Sequence, residues 1–286
     1  MRGDTMKKFT LRNDIDIPSI GFGTWKLPDD SSTSDVVLSA INCGYRHIDT
    51  AKAYTNERAV GEGIKRSNVV RSELFITGKL WNEDRGYERA IEACKETISN
   101  LKCDYLDLYL IHWPYSKALY ENWEDLNSET WKALEYLYDQ GLVKAIGVCN
   151  FKVHHLEGLM KTARILPMVN QIEFHPGFMQ KDIVNFCKNN KIVVEAWSPL
   201  GSGKMLKKEQ LIQMAKKYDV DVAQVCLKWC LQNGVLPVTK SSHVERIMSN
   251  LSLSHFSLKD EDMEYLDSLP YIGGSGLDSD TLTLFN

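Results

Sequence analysis

The stretch LFITGKLWNEDRGYERAIEACKETISNLKCDYLDLYLI, residues 74–111, contains the structural unit that repeats along the chain. Its two apolar ends, residues 74–77 and 106–111, are typical of buried strands. The segment 89–101 between them has helical spacing of its apolar residues and a helix-forming composition. A strand, a helix and a second strand in this order predict a βαβ crossover with parallel strands.

The same alternation continues on both sides of this unit. The other predicted strands are Gly21–Trp25, His47–Asp49, Ala145–Val148, Met168–Ile172, Ile192–Ala196 and Val235–Val238. The other predicted helices include Ser34–Asn42, Arg58–Arg66, Glu129–Gln140, Lys181–Asn189 and Val222–Gln232. Eight units in 286 residues, about 36 residues each, predict a (β/α)₈ barrel.

Two features complete the predicted organisation. A β-hairpin is expected at the N-terminus, because Asn13-Asp14 separates the apolar stretches 9–11 and 15–20. A doubly wound sheet is the rival fold, but Gly21-x-Gly23 is followed by Lys26 where its fingerprint needs a third glycine. We therefore predict one barrel domain over residues 1–286, with residues 1–8 flexible.

Composition and charge exclude several classes of protein. The 34 Lys and Arg residues against 38 Asp and Glu residues give a net charge of −4, without the basic excess that nucleic acid requires. No apolar stretch is long enough for a membrane span or a signal peptide. The seven cysteines contain no C-x-x-C pair, which favours reduced thiols and a cytoplasmic location. We expect a monomer, with a weak dimer as the alternative.

Polar residues end many of the predicted strands: Asp49, Lys79, His112, Asn150, Gln171, Trp197-Ser198 and Lys240-Ser241. Taken singly, each has an ordinary interpretation as a helix cap, a surface charge or a buried ring. In a barrel, however, the C-terminal ends of the strands converge on one mouth. The repeated position therefore predicts a functional site there.

Sequence blocks around these residues resemble those of the aldo-keto reductase family. Gly44-Tyr45-Arg46-His47-Ile48-Asp49-Thr50-Ala51 with Tyr54 is similar to the first family motif, and five further blocks follow in family order: 76–81, 110–114, 146–151, 170–176 and 196–201. Residues 237–241 with Arg246 and Asn250 resemble the last cofactor block. The resemblance covers about residues 9–270. The form Trp197-Ser198-Pro199 is most similar to the microbial branch of 2,5-diketo-D-gluconate reductase and prostaglandin F synthase.

The resemblance implies reduction of an aldehyde or ketone to an alcohol by hydride from NADPH, without a metal. It assigns the catalytic roles to Asp49, Tyr54, Lys79 and His112. Tyr54 is expected to be the proton donor, Lys79 to lower its pKa, and Asp49 to keep Lys79 charged and oriented. His112 is expected to hydrogen-bond the substrate oxygen.

The resemblance also assigns residues to the cofactor and the substrate. Asn150 and Gln171 are expected at the nicotinamide carboxamide, Trp197 on its ring, and Lys240 and Arg246 at the 2′-phosphate. The full cofactor set is Gly23, Thr24, Trp25, Asp49, Cys149, Asn150, Gln171, Trp197, Ser198, Leu200, Ser202, Lys240, Ser241, Ser242, Arg246 and Asn250. The substrate set is Trp25, Tyr54, Trp81, His112 and Trp113, with the tail 270–286 expected over the pocket.

Two positions depart from the family pattern. Cys149 stands where a serine is usual, and a thiol is a weaker hydrogen-bond donor. Ser249 replaces the common glutamate beside Asn250, which predicts weaker anchoring of the adenine.

Two other functions are weighed against this one. The first is a nicotinamide-binding regulatory subunit of the same fold with little turnover. The second is a metal-dependent barrel hydrolase, which is disfavoured because no His-x-His follows the first strand. Cys226 and Cys230 are interpreted as core residues, and His154 and His155 are expected to point in different directions and are assigned no role.

Overall fold

A computed structural model describes residues 8–281 of the chain. The described part begins with a hairpin of two antiparallel strands, β1 (Lys8–Thr10) and β2 (Asp16–Pro18). Asp14 takes a positive φ of 64° in the connecting turn, as a tight turn requires. The predicted hairpin is confirmed. Most of the segment predicted to be flexible, residues 1–7, lies outside the described residues, whereas Lys8 pairs with Pro18.

Eight parallel strands then close into a barrel. They are β3 (Gly21–Gly23), β4 (His47–Asp49), β5 (Phe75–Leu80), β6 (Leu108–Ile111), β7 (Ile146–Cys149), β8 (Val169–Glu173), β9 (Val193–Trp197) and β10 (Leu236–Thr239). Each strand pairs with its sequence neighbours, and β10 pairs with β3 to close the ring. All eight predicted strands and the (β/α)₈ fold are confirmed.

The helices of the described segment alternate with these strands. They are α1 (Ser31–Asn42), α2 (Glu57–Arg66), α3 (Tyr87–Asn100), α4 (Trp123–Asp139), α5 (Val153–Met160), α6 (Lys181–Asn189), α7 (Glu209–Tyr218), α8 (Val222–Gln232), α9 (Val244–Leu251) and α10 (Asp260–Asp267). None of these helices is long and apolar enough to cross a bilayer. Cys226 and Cys230 are fully buried on α8, as predicted for core residues.

The hairpin marks the N-terminal end of the barrel. Asn13 Nδ2 donates to the carbonyl of Lys144, just before β7, at 3.0 Å. Arg12 donates to the carbonyl of Asn190, which precedes β9. The opposite end, where the strands finish, is left to the loops that carry the predicted site.

Candidate active site

The ends of β4, β5 and β6 bring together the four predicted catalytic residues. Asp49 is the last residue of β4, Lys79 lies near the end of β5, and His112 directly follows β6. Tyr54 lies in a short 3₁₀ turn, Lys52–Tyr54, that leaves β4. These side chains form one connected group at the C-terminal end of the barrel.

Lys79 is the centre of this group and is fully buried. Its Nζ lies 2.5 Å from Asp49 Oδ1, 3.2 Å from the carbonyl of Thr50 and 3.4 Å from the Tyr54 hydroxyl. Burial lowers the pKa of Lys79, but the charge of Asp49, which also accepts a hydrogen bond from Lys79, outweighs this effect and leaves that pKa above its usual value. The ammonium is therefore held in its charged form beside Tyr54.

The expected lowering of the Tyr54 pKa is wrong for this structure. Burial raises the pKa of Tyr54 to about 12, and the opposing charge of Lys79 only partly offsets it. Tyr54 therefore keeps its proton throughout the neutral range. Lys79 acts as expected in direction, because it stabilises the phenolate, but it does not overcome desolvation.

His112 lies across from Tyr54, with ring centroids 5.8 Å apart in an edge-to-face arrangement. Trp81 contacts the same imidazole, at 5.2 Å between centroids. Burial, helped by the charge of Lys79, holds the pKa of His112 well below its usual value, so the ring is neutral. The ring N–H of neutral His112 and the hydroxyl of protonated Tyr54 are two hydrogen-bond donors that can bind the same oxygen atom.

The residues predicted at the nicotinamide lie beside this group. Asn150 adopts a left-handed φ of 64°; its Nδ2 donates to the carbonyl of His112 at 3.0 Å, and its Oδ1 accepts from Trp197 Nε1 at 2.8 Å. Gln171 Nε2 donates to Asp49 Oδ2 at 2.8 Å. Cys149 Sγ is 3.9 Å from Gln171 Oε1, a long contact that fits a weak donor.

The residues predicted at the cofactor phosphates lie in the loops after β9 and β10. Ser198 and Ser202 have positive φ angles, and their hydroxyls are 3.2 Å apart. Leu200 lies between them in the same loop. Lys240 follows β10 and Arg246 lies on α9; both are exposed, and neither has an ion-pair partner among residues 8–281. Two exposed cations without an acidic partner are available to an anion.

Three other predicted cofactor residues have contacts within the protein. Ser241 Oγ accepts from the backbone N–H of His243 and so orders the start of α9, next to the exposed Ser242. Asn250 is buried, with its Nδ2 3.5 Å from Thr239 Oγ1. The Thr24 hydroxyl is 3.1 Å from the carbonyl of Asp49 and is buried. Thr24, with its neighbour Gly23, therefore ties β3 to β4.

The predicted aromatic walls differ in exposure. Trp25 is 47% exposed, Trp81 is partly exposed and Trp113 is only 7% exposed. Lys26 Nζ lies over the Trp25 ring, 4.3 Å from its centroid. Trp25 and Trp81 thus have solvent-exposed surface, whereas Trp113 packs mainly against the protein.

A family model described as "Aldo/keto reductase family" matches residues 19–270. The chain belongs to this family. It is 48% identical over 266 residues to a glyoxal reductase of Bacillus subtilis (93% of this chain, 92% of the relative). It is 45% identical over 263 residues to a 9,11-endoperoxide prostaglandin H2 reductase of Trypanosoma cruzi (91% and 90%). A solved structure of a Gox0644 variant in complex with NADPH superimposes with a TM-score of 0.90 at 38% identity, covering 98% of this chain and 99% of that one.

The C-terminal tail of this aldo/keto reductase is tied to several loops of the same barrel end. Ser275 donates from its backbone N–H to Glu173 Oε1 at 2.8 Å, and Lys204 Nζ donates to the carbonyl of Gly274 at 2.5 Å. Lys152 Nζ contacts Asp278 at 2.7 Å and Asp280 at 2.8 Å. The tail therefore runs past the ends of β7, β8 and β9.

The expectation that His154 and His155 point in different directions is wrong. Their ring centroids are 4.0 Å apart, and their Nε2 atoms lie 2.9 and 3.3 Å from the same Asp280 oxygen. Three such groups could hold a metal, but the backbone N–H of Lys152 donates to His155 Nδ1, which places the ring proton on Nε2. The Lys152 ammonium also occupies the other Asp280 oxygen. This arrangement favours a hydrogen-bonded anchor for the tail over a metal site.

Reasoning from the sequence missed one buried residue of the site. Glu195 on β9 accepts from Gln171 Nε2 at 2.7 Å and is fully buried. The available signal was a single charged residue inside the apolar run 192–196, two positions before Trp197. Ser249, by contrast, is explained by the structure: its hydroxyl donates to Asp221 at the start of α8, at 2.8 Å.

Proposed function

We propose that this oxidoreductase reduces aldehydes, and ketones where they fit, to alcohols with NADPH, and that Tyr54 is the general acid. The observation that carries the proposal is the buried chain from Asp49 through Lys79 to the Tyr54 hydroxyl, with neutral His112 beside it. The NADPH complex of the Gox0644 variant supports the choice of cofactor.

The side chains of this group have separate tasks in the reaction. NADPH, when bound, supplies the hydride. Tyr54 and His112 both hydrogen-bond the carbonyl oxygen, which draws electron density from the carbonyl carbon. As negative charge develops on that oxygen, Tyr54 donates its proton. Lys79 stabilises the resulting phenolate, and Asp49 holds Lys79 in position.

The proposed cofactor residues also have separate tasks, according to their chemistry. In this proposal Asn150 and Gln171 hydrogen-bond the nicotinamide carboxamide, Gln171 through its Oε1 because its amide hydrogens are used within the protein, and Trp197 stacks on the nicotinamide ring. Lys240 and Arg246, with Ser241 and Ser242, supply charge-assisted hydrogen bonds to a phosphate dianion. The tail over residues 270–281 forms one side of the substrate pocket, because it is anchored to three of the loops at the mouth.

The direct test is a panel of aldehydes and ketones assayed with NADPH and with NADH. Glyoxal belongs in the panel because the Bacillus subtilis relative is named for its reduction. We expect steady loss of NADPH absorbance that depends on the carbonyl compound. Tight NADPH binding without turnover on any carbonyl would instead favour a regulatory subunit.

A further inference from the structure

Glu195 places a second carboxyl group in the barrel interior, close to the catalytic ion pair. The side chain is fully buried on β9. Its Oε2 accepts from Gln171 Nε2 at 2.7 Å, and its Oε1 has no hydrogen-bond partner among the described residues. A buried carboxyl with one weak donor is poorly solvated as an anion.

Gln171 connects this carboxyl to Asp49. The same Nε2 donates to Asp49 Oδ2 at 2.8 Å, so both amide hydrogens are used by carboxyl oxygens. β8, which carries Gln171, and β4, which carries Asp49, lie on opposite sides of the barrel, and the bridge therefore crosses its interior. If the Gln171 amide were rotated by half a turn, its Oε1 would face the oxygens of both carboxyl groups. The two hydrogen bonds therefore fix the orientation of this amide.

If Asp49 and Glu195 are both ionised, their two negative charges face only one positive charge. The ionisable groups that face Glu195 are Asp49 on β4, Lys79 on β5 and Cys149 on β7, and Lys79 leads on to Tyr54. Lys79 is the one cation of this set, and it already pairs with Asp49. Burial raises the pKa of Glu195 to about 8, and the charge of Asp49 adds to the rise. Glu195 is therefore neutral at pH 7.

We propose that Glu195 is a positioning residue that acts on Tyr54 through Gln171, Asp49 and Lys79, and that carbonyl reduction requires Glu195 in its neutral form. The inference rests on the function proposed above. With Glu195 neutral, the attraction between Lys79 and the forming Tyr54 phenolate is opposed by one carboxylate only. An ionised Glu195 adds a second negative charge in a poorly screened interior and makes Tyr54 a weaker acid.

The kinetic test compares wild type with Glu195→Gln in kcat/KM for carbonyl reduction between pH 6.5 and 9.5. Glutamine keeps the size and an oxygen acceptor for Gln171 but does not ionise. At pH 9 we expect roughly a 10-fold fall for wild type, since a group with a pKa near 8 is then about nine-tenths ionised, and a fall of less than about 2-fold for the variant. Tyr54, with a pKa near 12, does not contribute in this range.

The matched control is Glu57→Gln. Glu57 is a second buried carboxyl whose pKa burial raises, but it lies on α2 and bonds to Asn100. We expect this variant to keep the wild-type pH profile. Equal falls of kcat/KM in wild type and Glu195→Gln would overturn the inference.

An infrared titration of the cofactor-free protein reads the Glu195 proton without any turnover. We expect a protonated-carboxyl band at pH 7 that disappears towards pH 9.5 in wild type and in Glu57→Gln, with its Glu195 component missing from Glu195→Gln. Identical bands in wild type and Glu195→Gln at pH 7 would mean that Glu195 is ionised, and would overturn the inference alone. A titrating band in a wild type that reduces no carbonyl would overturn the proposed function and the catalytic part of the inference with it.

Discussion

Tyr54 carries the proposed proton donor, the hydroxyl that Lys79 contacts at 3.4 Å. Tyr54→Phe keeps the ring against His112 but removes the proton donor. We expect kcat for reduction to fall by about 10²–10⁴, the usual contribution of a positioned acid, with NADPH affinity within about 3-fold of wild type. Stopped-flow or steady-state loss of NADPH absorbance measures the first, and fluorescence titration measures the second.

Tyr265→Phe is the matched control for this prediction. Tyr265 is exposed on α10, so the same change there should leave both quantities unaltered. Retention of more than about a tenth of the turnover in Tyr54→Phe would contradict the acid role, since acid catalysis is typically worth far more.

We expect Lys79 to affect both activity and stability, because it is fully buried with Asp49. Lys79→Met leaves an unpaired carboxylate inside the barrel, and loss of one partner of a buried pair typically costs about 3–5 kcal/mol. We expect that loss in urea unfolding, together with little reduction activity at any pH. The double variant Asp49→Asn/Lys79→Met should recover part of the stability but no activity. Wild-type rates and an unchanged pH profile in Lys79→Met would show that Lys79 does not tune Tyr54.

At the residue scale, the positions of the predicted catalytic side chains follow from the sequence, but their pKa values do not. Asp49, Lys79 and His112 could be placed from the sequence because each ends an apolar strand in a fold whose strand ends converge. The raised pKa of Tyr54 depends on how tightly neighbouring loops exclude water, and no local pattern encodes that packing. Glu195 was overlooked because its partners, Gln171 and Asp49, come from other strands.

At the scale of elements, the tail makes several charged contacts at the start of α5. Asp280 contacts Lys152, His154 and His155, so Asp280→Asn removes the charge that all three share. The hydrogen bonds of Asp280 with Lys152 and His154 contribute about 1.5–3 kcal/mol each when charge-assisted, and these are partly exposed, so we expect only about a 10-fold faster proteolytic cleavage within residues 273–281. The KM for a bulky aldehyde should rise, while NADPH affinity stays constant.

Asp139→Asn provides the control for the tail. Asp139 pairs with Arg164 on the outer surface, so this variant loses a comparable charged contact without touching residues 273–281. Cleavage rates that match in the two variants would show that the Asp280 contacts do not hold the tail.

The strands and most helices follow from periodicity, since buried parallel strands are short apolar runs and the helices between them carry one apolar face. Left-handed positions such as Asn150 and Ser198 do not follow, because non-glycine residues with positive φ are held there by their surroundings. The path of the tail does not follow from periodicity either, because it is set by single contacts such as that of Lys204 with Gly274.

At the scale of the whole molecule, the net negative charge of the protein repels an anionic cofactor. The chain carries a net charge of −4, so NADPH must be held by local cations that outweigh the overall repulsion. Lys240 and Arg246 fit this requirement because they are exposed and have no ion-pair partner in the part of the chain that the structure describes. Ser249 donates to Asp221, and because it stands where a glutamate is usual we expect no acidic contact to the adenine there and a stronger dependence on these cations.

We therefore expect Arg246→Ala to weaken the binding of NADPH but not the binding of NADH. NADPH differs from NADH only by the 2′-phosphate, and losing one charge-assisted hydrogen bond of about 1.5–3 kcal/mol weakens binding by roughly 10- to 100-fold. NADH affinity should stay nearly constant, and wild-type NADPH affinity should fall as salt screens the exposed clamp. Fluorescence titration with both cofactors measures each quantity, and Lys132→Ala on α4 controls for the change in net charge. Equal losses for NADPH and NADH in Arg246→Ala would place Arg246 outside the phosphate site, because only a group that contacts the 2′-phosphate can distinguish the two.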